Sequence, residues 1–295
     1  SISSRYEGST RFGENNKWGL FPAISAGVNI ANLVDITGVN ALKVRGSYGR
    51  TGTQPGESYI SLLRYGRQGN FFYNGAFVPS YGPVSNNNPN LSWETKDEVN
   101  VGLDFVAFNN KLSGTIDYFT RVTSGMILPI NVPVPPNLFP TTLLNIGEVE
   151  NSGLEVLLNY SVIDKSDFKW TTGVNFSTLA TNLRSLSAGD LSFGAVNYRS
   201  NFGSPGQNLT QLIRVQENGP LGQIWGPIQT GIDEKGAPIM KVIDGTAKDA
   251  SGKPVYCNCD IDRAQLGTAY PTINFGINNN FNYKNWDLNF FFRGS

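Results

Sequence analysis

Histidine is absent from the chain's 295 residues. That removes Ser-His-Asp and Cys-His catalysis and every imidazole metal ligand. Cysteine is nearly absent: Cys257 and Cys259 alone are too few for a disulfide framework or a complete cysteine zinc site. Net charge is absent too, with 23 Lys+Arg against 23 Asp+Glu, so nothing points to nucleic acid or an anionic surface as partner. Charged residues make up 16%, well under the ~25% usual for soluble domains. No apolar run approaches the ~20 residues of a membrane-spanning helix. None of the 33 glycines falls in a G-x-G, and no G-x-S-x-G elbow occurs, which excludes Rossmann loops, kinase loops and hydrolase elbows. No acid pair stands out for glycoside hydrolysis, so an enzyme is not expected. Ser1–Arg5 carries neither a start methionine nor signal-peptide features, and reads as the interior of something longer.

What is present is alternation. Leu20, Pro22, Ile24, Ala26, Val28 and Ile30 interleave with small or polar Gly19, Ala23, Ser25, Gly27 and Asn29. Successive side chains of a strand face opposite ways, so this segment has one oily and one wet face. The pattern recurs through 41–51, 99–107, 111–122, 154–162, 168–177, 272–281 and 286–293, giving about eight strands of roughly 9–14 residues. Soluble strands are typically ~5–6 residues, whereas membrane-crossing strands need ~9–11. Short connections at 32–40, Asn109-Asn110, Asp164–Asp167 and Lys284-Asn285 alternate with long ones at 52–92, 123–152 and 183–268. Barrels with tight turns on one rim and large loops on the other look like this. Phe105, Phe108, Phe168, Trp170, Phe281, Tyr283 and Trp286 gather at the short-turn ends, as an interfacial aromatic girdle does. The competing reading is a soluble sandwich whose core uses the same alternation. Eight strands can close a small barrel, but such a barrel is filled with side chains. The inward positions here are mostly Gly, Ser, Asn and Thr. The expected fold is therefore all-β: an antiparallel transmembrane barrel, present as an arc of a larger one, with 1–295 as one domain.

Several ordered blocks resemble a known family. Arg5-Tyr6-Glu7-Gly8-Ser9-Thr10-Arg11-Phe12-Gly13-Glu14-Asn15-Asn16-Lys17-Trp18-Gly19-Leu20-Phe21-Pro22 resembles a signature of SusC/RagA-type TonB-linked outer-membrane transporters. Leu42–Gly52, Asn88-Pro89-Asn90-Leu91-Ser92-Trp93-Glu94, Asn145–Glu155 and Tyr283-Lys284-Asn285-Trp286-Asp287-Leu288 are similar to later blocks of the same family. The resemblance implies a plugged barrel of 22 strands, the class of outer-membrane transporters, of which this chain supplies later strands without the plug or the closing strands. It also implies residence in the outer membrane of a Gram-negative bacterium and uptake of an oligosaccharide or peptide nutrient. The implied partners are TonB, a SusD-like surface lipoprotein acting as a lid, the lipid bilayer, and a second copy of the transporter as a homodimer.

Two departures from the family pattern matter. The acidic stretch often found in the family is spread apart here, at Asp244, Asp260 and Asp262, by an insertion holding Cys257-Asn258-Cys259. A calcium loop needs closely spaced oxygen ligands, so a polar loop without metal is the stronger reading and no cofactor is expected. The one-residue gap between the cysteines is poor disulfide geometry, which favours two free thiols. Phe71, Phe72, Tyr73, Tyr81, Tyr198 and Trp225, all in long connections, are candidate ligand platforms, because aromatic faces pack against sugar rings or peptide side chains. Packing of these rings against other loops or against the lid competes with that role. Pro129, Pro133, Pro135, Pro136 and Pro140 stiffen the 123–152 connection. Inward Lys111, Asp117 and Glu155 are read as a hydrated wall. Two further functions compete: a passive porin, and a soluble carbohydrate-binding β-domain.

Overall fold

The computed structural model describes residues 1–187, 197–201, 211–236, 238–241 and 263–295. The calcium candidates Asp244, Asp260 and Asp262, and the cysteine pair, lie outside the described residues. The chain forms two compact units, one comprising 1–180, 184–191 and 272–295, the other 181–183 and 192–271.

The first unit is built on nine antiparallel strands: β1 (Ile2–Gly8), β2 (Trp18–Asn29), β3 (Val39–Thr53), β4 (Glu94–Ala107), β5 (Leu112–Ser124), β6 (Glu148–Asp164), β7 (Phe168–Thr178), β8 (Ile273–Tyr283) and β9 (Trp286–Gly294). They pair in the order of the sequence, and β1 and β9 are the two ends of this path. All eight alternating segments are strands. β1 is a ninth, overlapping the start of the Arg5–Pro22 block at Arg5–Gly8. The turns are tight where brevity predicts them. Phe108, Asn109 and Asn110 between β4 and β5, and Lys284 between β8 and β9, all take positive φ, a region that asparagine tolerates better than most residues. Between β2 and β3 the chain makes a single 3-10 turn, Ile30–Asn32.

Register decides which side chains share a face, because a slip of one residue would exchange the faces. One cross-strand row runs Val28–Val44–Leu103–Ile116–Val156–Phe176–Phe275, apolar throughout. The neighbouring row on the opposite face runs Gly27–Arg45–Gly102–Asp117–Glu155–Ser177–Asn274, small or polar throughout. The apolar face is uncovered: Leu20 is 58% exposed, Val101 52%, Tyr118 53% and Phe292 61%. A soluble protein rarely leaves so contiguous an apolar surface bare.

Buried hydrophobics cluster elsewhere. Phe12, Phe21, Ile60, Leu91 and Trp93 form a small core, with Ile127 and Leu143 packed against it. This core lies at the long-connection ends of β2 and β4, not under the apolar face. It includes residues of the family-like blocks 5–22 and 88–94, which gives those blocks a packing role. Gly13 is required there, since a Cβ at that position would overlap the Pro89 carbonyl oxygen.

The long connections carry strands of their own. Tyr65–Tyr73 and Ala76–Pro83 form a hairpin around Asn74-Gly75, both at positive φ, the pairing that suits a two-residue turn. Ile127–Asn131 pairs with Thr141–Asn145. In the second unit Asn197–Asn201, Gln211–Val215, Gln223–Gly226 and Ala264–Thr268 make a four-stranded sheet, and Gln229–Ile232 pairs with Pro238–Met240.

Candidate functional site

The two faces of the first unit's sheet are chemically opposed. On the apolar face, Val99–Ala107 of β4 supplies nine residues of strand, the ~9–11 needed to cross hydrocarbon. At the short-turn end this band is closed by stacked rings. Trp170 lies 5.3 Å from Phe281, and Phe281 lies 5.6 Å from Phe290. The Trp170 indole N–H donates to Asn279 Oδ1 at 3.1 Å, satisfying the polar edge of the girdle. Toward the long connections the same face turns charged. Arg50 Nε contacts Asp97 at 2.8 Å, Tyr48 Oη donates to Asp97 at 2.6 Å, and Arg184 bridges Glu148 and Glu150 at 3.0 Å each. β6, at 17 residues and ~3.3 Å per residue, is ~55 Å long, more than a bilayer needs even when tilted. Its charged outward end stands beyond the apolar band.

The opposite face is a hydrated wall. Arg45 reaches across two strands, with Nε at 3.1 Å from Asp104, Nη2 at 2.6 Å from Asp117 and Nη1 at 3.4 Å from Asn100. Gly102, between Arg45 and Asp117 in the row, makes this possible. A Cβ there would stand 2.6 Å from the Arg45 Cζ and from Asp117 Oδ1. Asp117 Oδ1 is buried without a hydrogen-bond partner. Arg121 Nε pairs with Glu98 at 2.8 Å. Beside them a concavity of about 740 Å³ is lined by Asp117, Glu155, Asn175, Asn274, Phe291 and Arg293, among others. This wall offers amide, hydroxyl and charged groups for contact; among the described residues no group of three or more metal-ligating side chains occurs.

The connections 52–92 and 123–152 are held together by asparagine side chains. Asn86 Nδ2 donates to the carbonyls of Phe139 and Thr141 at 2.7 and 3.0 Å, while its Oδ1 accepts from the Leu138 and Phe139 amides. Asn88 Nδ2 donates to Leu143 O at 2.7 Å. Asn145 donates to Ser92 O and Gly125 O and accepts from the Ser92 amide, all within 2.9 Å. The clasp was not evident from the sequence, where Asn88 and Asn145 appear only as members of the family-like blocks and Asn86 in none of them.

The aromatic candidates divide between the two units. Phe72, Tyr73 and Tyr81 stand on the hairpin 65–83 of the first unit, 64%, 66% and 69% exposed. Phe72 meets Phe77 edge-on at 5.3 Å on one face, and Phe71 meets Tyr73 at 6.3 Å. Tyr198 and Trp225 lie on two strands of the four-stranded sheet in the second unit. Tyr198 is in register with Arg214, and the Arg214 guanidinium lies 4.0 Å over the Trp225 ring. Arg214 was missed: stacking across strands leaves no periodic trace in the sequence.

A sheet with one greasy and one wet face, membrane-length strands and an aromatic girdle is the wall of a transmembrane β-barrel. Comparison with known proteins narrows the class. The family model described as TonB dependent receptor-like, beta-barrel matches residues 1–293. TonB-dependent receptor P3 of Formosa agariphila is 31% identical across the whole chain, and TonB-dependent receptor SusC of Bacteroides thetaiotaomicron is 29% identical across it. The chain spans about 30% of the length of these relatives. The RagAB peptide importer in its open-open state matches 99% of this chain and 30% of the solved one, with a TM-score of 0.80 at 23% identity. The RagAB peptide transporter matches 99% of this chain and 31% of its own, with a TM-score of 0.78 at 24% identity. At that identity the likeness concerns the fold.

The chain belongs to the TonB-dependent receptor β-barrel family. Barrels of this family reside in the outer membrane of Gram-negative bacteria, and they are transport proteins rather than enzymes.

Proposed function

We propose that the chain supplies part of the barrel of an energised outer-membrane importer. Its substrate is an oligosaccharide or peptide nutrient, and its partners are TonB, a SusD-like surface lipoprotein acting as a lid, and a second copy of the transporter. One observation carries the reading: the uncovered apolar rows and the charged row alternate on the same strands, so one side meets lipid and the other an aqueous passage. In hydrocarbon every backbone N–H and C=O must be paired within the protein, which strands achieve only in a closed ring. The relatives named SusC and TonB-dependent receptor support import, and the fold shared with the RagAB peptide importer is in keeping with a peptide as nutrient. The connections 52–92, 123–152 and 183–268 face the outside, as parts of a single domain 1–295. Phe72, Tyr73, Tyr81, Tyr198 and Trp225 offer ring faces to the nutrient, and no metal or other cofactor takes part.

The passive porin is the rival. The complete receptor, reconstituted in liposomes, is expected to conduct no ions freely, and nutrient uptake by cells is expected to stop when TonB is deleted. An open conductance together with TonB-independent uptake would establish the porin instead.

A further inference from the structure

In the four-stranded sheet of the second unit, Arg214 has no counter-charge among the described residues. Tyr198, Arg214, Gln223 and Thr268 are consecutive in one cross-strand row, and Trp225 lies two residues beyond Gln223. The Arg214 guanidinium lies 4.0 Å above the Trp225 ring. That ring is fixed by its own N–H, which donates to Gln223 Oε1 at 2.8 Å. Arg214 Nε is buried with no hydrogen-bond partner, and among the described residues no carboxylate pairs with the guanidinium. A half-buried guanidinium left unpaired is costly, and such exceptions in a folded protein call for an explanation. By contrast, half-buried Arg45 is paired with two aspartates and half-buried Arg121 with a glutamate. A guanidinium resting on an indole can still offer its Nη1/Nη2 edge for the two parallel N–H···O bonds that planar oxyanions accept.

We propose that Arg214, backed by Trp225, is a recognition site for the carboxylate of the nutrient. This rests on the importer reading above, and deepens it by assigning the substrate an acidic group. Two sources share that chemistry: a uronic-acid oligosaccharide, and the free chain end of a short peptide.

The test uses the complete receptor, purified in detergent, and isothermal titration calorimetry. The probes are trigalacturonate against its methyl ester, and trialanine against its C-terminal amide. One carboxylate probe is expected to bind at least tenfold more tightly than its neutral partner, and which pair shows the gap names the source. Arg214→Gln is expected to abolish that gap, and Arg214→Lys to keep part of it, since lysine retains the charge but not the planar fork. Retained heat-modifiable migration on gels shows that the variants are folded, and Trp225→Phe gives a second, milder probe. Equal binding of charged and neutral forms, no binding of either carboxylate probe at millimolar concentration, or an unchanged gap in Arg214→Gln would each overturn the proposal. TonB-dependent uptake is scored separately, so the importer reading can stand while this one falls.

Discussion

At the scale of single residues, the inner wall depends on a missing side chain. Gly102 leaves the space through which Arg45 reaches Asp117. Gly102→Ala is expected to push the guanidinium away and leave Asp117, whose Oδ1 is already without a partner, short of its remaining bond. Hydrogen bonds to charged groups contribute ~1.5–3 kcal/mol, and partial exposure reduces this, so the expected loss is about 1 kcal/mol. Urea unfolding of the complete receptor, followed by tryptophan fluorescence, measures it. A transition unchanged from the natural protein would show that Arg45 does not need the gap. Gly13→Ala forces a methyl into the Pro89 carbonyl. Overpacking of this kind costs ~1–3 kcal/mol, and the same unfolding measurement is expected to show that loss. Residue roles such as these were only partly legible in the sequence. The parity of Asp117 and Glu155 placed both on the wet face, but nothing in the string pairs Arg45 with Asp104 and Asp117 across 59 and 72 positions. The asparagine clasp was hidden for the same reason, since its partners are backbone carbonyls that any sequence supplies.

At the scale of elements, alternation was a reliable guide because the solvent differs on the two sides of each strand. β2 through β9 declare themselves in this way. β1 did not, because its outward positions Ile2, Ser4 and Tyr6 include a serine and its seven residues hold too few alternations. The hairpin 65–83 was within reach: Asn74-Gly75 between aromatic runs is a strong hairpin signal, yet the segment was read as plain loop. The faces also give an asymmetric prediction. Ile116 lies in the middle of the apolar row, and Thr115, one residue before it, faces the wet side. Ile116→Arg is expected to destabilise the folded barrel by ~2–4 kcal/mol, as cations at the bilayer midplane do. Thr115→Arg is expected to cost well under half of that. The comparison is made by denaturant titration in lipid vesicles. Equal costs would mean that the two faces do not see different solvents.

At the scale of the whole molecule, a membrane wall and the long connections divide the labour. The apolar rows position the wall and the ion-paired row lines its wet side, while the aromatic hairpin and the Arg214–Trp225 pair are the proposed recognition groups in the long connections. The most direct test of this arrangement attaches nitroxide spin labels singly to cysteines placed at 115, 116, 117 and 118 of β5 in the complete receptor. Cys257 and Cys259 are first replaced by serine, and the receptor is reconstituted in bilayers. Labels at 116 and 118 are expected to relax faster with lipid-soluble oxygen, and labels at 115 and 117 with a water-soluble nickel complex. Protection of 116 and 118 from both relaxants would put them in a dry protein core and contradict the membrane wall.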